Sequence, residues 1–214
     1  MFAIFLLIAI TSAAKYGVDI AEAVSVSSIQ CLRDLGFDSY FIFRAWRSVG
    51  KFDSNAVTTN NNAISAGFSA SNIDAYFYPC YSCGDAAGQV STFWSSVTSN
   101  SMKFQRLWFD IEGSWSSSYS TNQNFLLSLV NQARSIGIVS GIYSNQHYWT
   151  SFFGSYTFPY TSEFPVWYAH YDYSASFSDY YSSYSFGGWS TPSIKQYQGT
   201  TSYCGGSIDL NYSE

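Results

Sequence analysis

Short apolar runs of strand type alternate with longer stretches of helical spacing along most of this chain, which points to a parallel α/β sheet or a closed barrel. Strands are expected near residues 16–20, 39–44, 73–78, 106–112, 139–143, 166–169, 194–197 and 208–210. Helices are expected at 27–35, 55–66, 86–97, 122–136 and 146–152. The clearest is 122–136. Phe125, Leu126, Leu129, Val130 and Ala133 share one helical face, Thr121 or Asn122 stands at the N-cap position, and Gly137 is a stop. Beyond Phe153 the helical signal fades into a Ser/Tyr/Phe-rich stretch, so the last three strands lack full crossover helices. Eight strands in 214 residues fit one closed barrel, with 174–185 as a long surface loop.

The N-terminus is a separate matter. An apolar run from Phe2 to Ile10, followed by Ser12, Ala13 and Ala14, reads as a signal peptide (residues 1–14) cleaved after Ala14, which leaves a domain of residues 15–214. The run is shorter than the roughly 20 residues that cross a bilayer, so no membrane anchor is expected. Such a leader directs the chain to the outside of the cell or to a lysosomal or phagosomal lumen. Four cysteines, Cys31, Cys80, Cys83 and Cys204, are then expected as disulfides. Three pairings are possible, and Cys80–Cys83 with Cys31–Cys204 is the one expected. Cys80 and Cys83 also have the C-x2-C spacing of a zinc knuckle. No second such pair accompanies them, and His147 and His170 lie far apart in sequence, so neither a metal nor a cofactor is expected.

Charge narrows the function classes. A net charge of −5 argues against nucleic acid, whose binders present basic patches to the phosphates. Aromatic residues make up 21% of the chain and charged ones 11%, a composition that buries a large core. A monomer is expected.

The stretch Leu107-Trp108-Phe109-Asp110-Ile111-Glu112-Gly113 carries the most chemistry. In a strand, residues two apart share a face, so Asp110 and Glu112 point one way while Phe109 and Ile111 point the other. In a parallel barrel, catalytic groups collect at the C-terminal strand ends, where Gly113 would break this strand. Like charges in a barrel interior repel and are poorly solvated, so one carboxyl stays protonated near neutral pH and can act as a general acid. Asp19 ends the first strand-like run and Asp209 lies on the last. In an eight-stranded barrel the first and last strands are neighbours, which brings these acidic positions to one end.

These pieces together resemble the family 25 glycoside hydrolases, the N-acetylmuramidase class of lysozymes. The resemblance runs through Gly17-Val18-Asp19, Phe109-Asp110-Ile111-Glu112, Gly141-Ile142-Tyr143, Pro165-Val166-Trp167-Tyr168-Ala169, Lys195-Gln196-Tyr197 and Ile208-Asp209-Leu210-Asn211. It implies a modified TIM-like barrel of (β/α)5(β)3 type and cleavage of the glycan strands of bacterial peptidoglycan. It also implies roles. Glu112 would protonate the glycosidic oxygen, and Asp110 would hold the substrate's 2-acetamido group or act as a base for water. Asp19 and Asp209 would position the sugar and tune the pair. Substrate assistance is a recognised exception to the two-carboxylate scheme.

Sugar rings pair apolar C–H faces with hydroxyl rims, so aromatic groups with polar tips suit a glycan groove. Tyr76, Tyr78, Tyr143, Trp167 and Tyr168 lie at or near strand ends and are the candidate substrate contacts, with Gln196 as a partner for a sugar amide or a filler of the barrel. Arg44 ends the second strand and is a candidate partner for an active-site carboxylate, or a surface group. Asn211-Tyr212-Ser213 forms an N-glycosylation sequon. Two rival readings remain. A chitinase-like hydrolase would carry D-x-x-D-x-D-x-E on the fourth strand, whereas Gln105 and Trp108 occupy the two earlier positions here. A catalytically silent glycan-binding protein could keep the same barrel.

Overall fold

A computed structural model of the chain describes residues 13–214; the apolar run 2–10 read as the heart of a signal peptide lies outside them. In chain order the elements are β1 (Lys15–Ile20), α1 (Val26–Asp34), β2 (Tyr40–Arg47), β3 (Lys51–Phe52), α2 (Ala56–Ser65), β4 (Ile73–Phe77), α3 (Ala86–Ser99) and β5 (Arg106–Asp110). They continue with α4 (Tyr119–Ser135), β6 (Ser140–Ser144), α5 (Gln146–Phe153), β7 (Val166–Ala169), β8 (Ile194–Tyr203) and β9 (Gly206–Ser213). The expected alternation is present, and the last α-helix, α5, comes before β7.

The strands close into a barrel in the order β1-β2-β4-β5-β6-β7-β8-β9, with β9 returning to β1 and the short β3 hairpinned onto the end of β2. Neighbours are parallel from β1 through β8, but β9 runs antiparallel to both β8 and β1. The reason is local. Cys204 and Gly205, both at positive φ, form a two-residue hairpin loop, and a connection that short can only reverse the chain.

Period-two alternation sorts the side chains. Ile42, Trp108, Tyr143, Trp167, Ala169 and Ile194 fill the barrel, while Val18, Phe41, Phe43, Phe77, Phe109, Ile142 and Leu210 face outward and pack in the larger core that includes the helices. Trp108 fits because Gly141 lies opposite it on β6: a Cβ there would stand 2.4 Å from the indole. Its indole N–H donates to Asp74 Oδ2 at 2.8 Å, which satisfies a carboxylate on the barrel floor.

Helix α4 begins earlier than its spacing suggests. Ser118 caps it by accepting the Thr121 N–H, so Asn122 is free for tertiary work. Asn122 is fully buried and donates to the carbonyls of Ser116 and Phe152, which ties the loop after β5 to α5. The helix stops at Gly137, whose φ of +75° suits glycine. Segment 174–185 is a loop that contains one helical turn at Tyr180–Tyr184, with Phe177 and Tyr180 buried beneath it.

Both disulfides have the expected pairing. Cys31–Cys204 spans 173 residues and pins the β8–β9 hairpin tip to α1, whereas Cys80–Cys83 closes a loop with a separation of 3. Loop-closure entropy in the unfolded chain grows with loop length. Converting Cys31 and Cys204 to Ser is therefore expected to lower the unfolding free energy by about 2–4 kcal/mol, measured by urea denaturation without reductant. Converting Cys80 and Cys83 is expected to cost less.

Candidate active site

At the C-terminal end of the parallel strands, a pocket of about 110 Å³ is lined by Asp19, Tyr76, Asp110, Glu112, Tyr143, Trp167, Tyr171, Gln196 and Asp209. All four acidic residues singled out in the sequence therefore meet in one cavity. Roomier grooves of about 530 and 620 Å³ lie along α5 and at the opposite barrel end. The first is lined by no carboxylate. The second holds Asp74, whose oxygens are already bonded to the Trp108 indole and the Arg106 N–H.

Each carboxylate arrives by a separate route. Asp19 is on β1 and Asp209 on β9, directly opposite each other in the antiparallel register. Asp110 ends β5, which corrects the expectation that the strand runs on to Glu112. Beyond it the Ile111 N–H donates to the Tyr143 carbonyl at 2.8 Å and the Ser144 hydroxyl to the Ile111 carbonyl at 2.8 Å, so this short extension is held against β6. The Trp115 indole N–H donates to the Glu112 carbonyl at 3.1 Å. Gly113, at φ +81°, then turns the chain away; a Cβ there would lie 2.3 Å from the Tyr78 hydroxyl, so Tyr78 closes over glycine at the rim.

A second tier of amides supports Asp19. The Trp167 indole can only donate, and it donates to Asn211 Oδ1 at 2.9 Å, which leaves the Asn211 NH2 facing Asp19. Asn211 Nδ2 and Gln196 Nε2 both reach Asp19 Oδ1, at 2.7 and 2.8 Å. Gln196 Nε2 also donates to Asp209 Oδ2 at 3.1 Å, and its Oε1 accepts the hydroxyls of Tyr143 at 2.7 Å and Tyr171 at 2.8 Å. Asp209 Oδ1 accepts the Thr200 N–H from an irregular stretch of β8 where Thr200 has φ +52°. That irregularity turns a backbone donor onto the carboxylate.

Burial raises the pKa of all four acids. Asp19 is pushed up to about 8, first by burial and then by the charge of Asp209, against the lowering effect of the Asn211 and Gln196 donors. Asp110 is held well above the usual carboxylate range by burial, then by Glu112 and Asp19. Burial and the charge of Asp209 raise Glu112, and burial raises Asp209. Asp110 Oδ1 is buried with no hydrogen-bond partner in the protein. The cluster can thus keep a proton near neutral pH and offer a carboxylate oxygen to a ligand.

The substrate contacts expected from sequence divide. Tyr76, Tyr143 and Trp167 line the pocket, with Tyr143 and Trp167 rings 4.5 Å apart and largely buried as its floor. Tyr168 does not reach it. It sits between inward-facing Trp167 and Ala169 on β7, so it points outward, is fully buried, and donates its hydroxyl to Asp179 at 2.8 Å. Gln196 has all four amide positions engaged by protein groups, which assigns it to the barrel framework rather than to a sugar amide. Arg44 pairs with Asp53 at 2.7 Å; its charge still lowers the pKa of Asp110. Asn211 is fully buried, so its sequon is inaccessible in the folded chain. Tyr171, half exposed at the mouth, was missed; its place two residues beyond Ala169 continues the inward face of β7 and was the available signal.

One other cluster has metal-like geometry. Ligand atoms of His170, Asp172 and Asp179 converge within 4.8 Å. The fully buried Lys195 ammonium already stands there, 2.8 Å from Asp172 Oδ2 and 3.0 Å from Asp179 Oδ1, and supplies the positive charge. It fastens the loop that carries Tyr171 onto β8.

A family model described as "Lysozyme-like protein 1" matches residues 11–197. The chain is 40% identical over 209 residues to "Probable GH family 25 lysozyme 2" of Dictyostelium discoideum, covering 97% of this chain and 94% of that one. Its fold is similar to the catalytic domain of endolysin ply40 from bacteriophage P40 of Listeria monocytogenes, with a TM-score of 0.65, 14% identity and 95% of each chain covered. It is also similar to the modular Cpl-1 endolysin solved with a peptidoglycan analogue, with a TM-score of 0.64, 18% identity, and 93% of this chain and 54% of that one covered. The chain belongs to glycoside hydrolase family 25, the family of lysozymes to which its matched sequence and its acid-lined barrel both lead.

Proposed function

We propose that this lysozyme hydrolyses the β-1,4 bond between N-acetylmuramic acid and N-acetylglucosamine in bacterial peptidoglycan, with Glu112 as the proton donor to the glycosidic oxygen. The observation that carries the reading is the pocket itself: four carboxyls at one barrel mouth, with Asp110 Oδ1 buried and unpartnered by protein. A buried acceptor of that kind costs free energy unless a ligand donor meets it. The 2-acetamido N–H of the substrate is such a donor. Held there, the acetamido oxygen can attack the anomeric carbon as Glu112 protonates the departing oxygen. The charge of Asp209 raises the proton affinity of Glu112, and negative charge at this mouth suits a transition state with cationic character at the sugar.

The site is assembled within one chain, which supports action as a monomer. The apolar leader and the two disulfides support action outside the cell or in a lysosomal or phagosomal lumen, against bacteria as prey or as invaders. Incubation of the protein with purified peptidoglycan tests the reading: soluble muropeptides with reducing-end N-acetylmuramic acid are expected. Binding without release would leave a glycan-binding protein, and release of chitin oligosaccharides alone would leave a chitinase-like hydrolase.

A further inference from the structure

The second amide of the site, Gln196, joins two carboxylates that come from opposite ends of the chain. A glutamine side chain offers two N–H donors and an oxygen with two acceptor positions. Here the Nε2 donors reach Asp19 Oδ1 at 2.8 Å and Asp209 Oδ2 at 3.1 Å, while Oε1 receives Tyr143 at 2.7 Å and Tyr171 at 2.8 Å. The two tyrosine hydroxyls fix which way the amide faces, since the reversed amide would present its oxygen to two acids. Gln196 is buried, as is Asp19, so water does not substitute freely for these bonds.

We propose that Gln196 is a positioning residue of the hydrolytic site: it holds Asp19 and Asp209 together, favours their ionised forms, and through Asp209 keeps the proton on Glu112. The inference deepens the reading of Glu112 as the acid. Hydrogen bonds to a carboxylate favour its charged form, so Gln196 works against the burial and mutual repulsion that drive protons onto Asp19 and Asp209. The charge of Asp209 in turn raises the proton affinity of Glu112. The order of events on losing Gln196 is therefore defined. Asp209 takes up a proton at higher pH, its negative charge is lost, and Glu112 releases its own proton at lower pH.

Gln196→Met keeps the length of the side chain and removes all four bonds. Carboxyl-carbon NMR titration of the wild type and this variant is expected to show the Asp19 and Asp209 midpoints raised by about one pH unit. In the rate profile on peptidoglycan, the alkaline limb is expected to move to lower pH and kcat to fall about tenfold, with KM little changed. Unchanged carboxyl midpoints, or a rise in KM alone as for a sugar contact, would overturn the proposal. If Gln196→Met does not fold, Tyr171→Phe decides. It alters a half-exposed residue, removes one hydroxyl that orients the amide, and is expected to shift the same midpoints upward by less; midpoints equal to wild type would overturn the proposal. The NMR titration reads the carboxyls whether or not peptidoglycan is cut, so failure of the lysozyme reading and failure of this inference are separate results.

Discussion

Glu112→Gln is expected to lose about 10²–10⁴-fold in kcat on purified peptidoglycan, the range supplied by a positioned general acid, while still binding the polymer. Glutamine matches the size of the side chain and cannot release a proton to the leaving oxygen. Folding should survive the change. Glu112 lies on a short segment held by Ser144 and Trp115 through backbone carbonyls, and neither contact uses its carboxyl. A neutral amide also removes one of the like charges that raise the pKa of Asp110. Muropeptide release and a polymer pull-down read the two halves of the expectation. A variant that keeps a third or more of the wild-type rate would place the acid on another carboxyl, with Asp110 the first to examine by the same substitution.

Asp19→Asn is expected to stabilise the protein at pH 8 and to reduce the dependence of its stability on pH. The sign follows from linkage. The Asp19 carboxyl, ordinarily near 3.8, is raised to about 8 in the fold, so between those values the folded chain binds more protons than the unfolded one. The stability associated with its neutral form is fully present below pH 4 and is lost as pH rises through 8. At about 1.4 kcal/mol per pH unit the loss across this window amounts to several kcal/mol, shared with Asp209, to which Asp19 is coupled. Asparagine keeps an oxygen for the Asn211 and Gln196 donors and never ionises. Urea denaturation at pH 4 and pH 8 measures both forms. The wild type should lose more stability than the variant between pH 4 and pH 8, with Asp110, Glu112 and Asp209, whose pKa values burial also raises, keeping part of the slope in both; equal slopes would remove Asp19 as a cause. A site that keeps like charges at close quarters trades stability for chemistry, and the loss of activity expected in Asp19→Asn is the other side of that exchange.

Much of this arrangement was legible in the order of residues. The alternation of strand and helix, its failure after residue 153, and the acids at 19, 110, 112 and 209 all depend on local spacing, and local spacing is what a linear sequence records. Period two even contains the distinction between Trp167 and Tyr168: once one faces the barrel, its neighbour faces outward, here onto the loop that carries Phe177 and Tyr180. The same rule extended past Ala169 points to Tyr171.

Tertiary structure alone decided how those acids are coupled. Asp19 and Asp209 are opposite each other because the Cys204-Gly205 turn reverses β9, and a turn type depends on backbone angles at two residues. Gln196 and Asn211 became supports for Asp19 only through bonds spanning 177 and 192 residues, and the direction of each amide depends on tyrosine and tryptophan donors from other strands. Spacing along a chain carries the period of an element and the chemistry of its side chains. It does not carry the register between strands remote in sequence, and desolvation, proton affinity and the hydrogen bonds of this site all follow from that register.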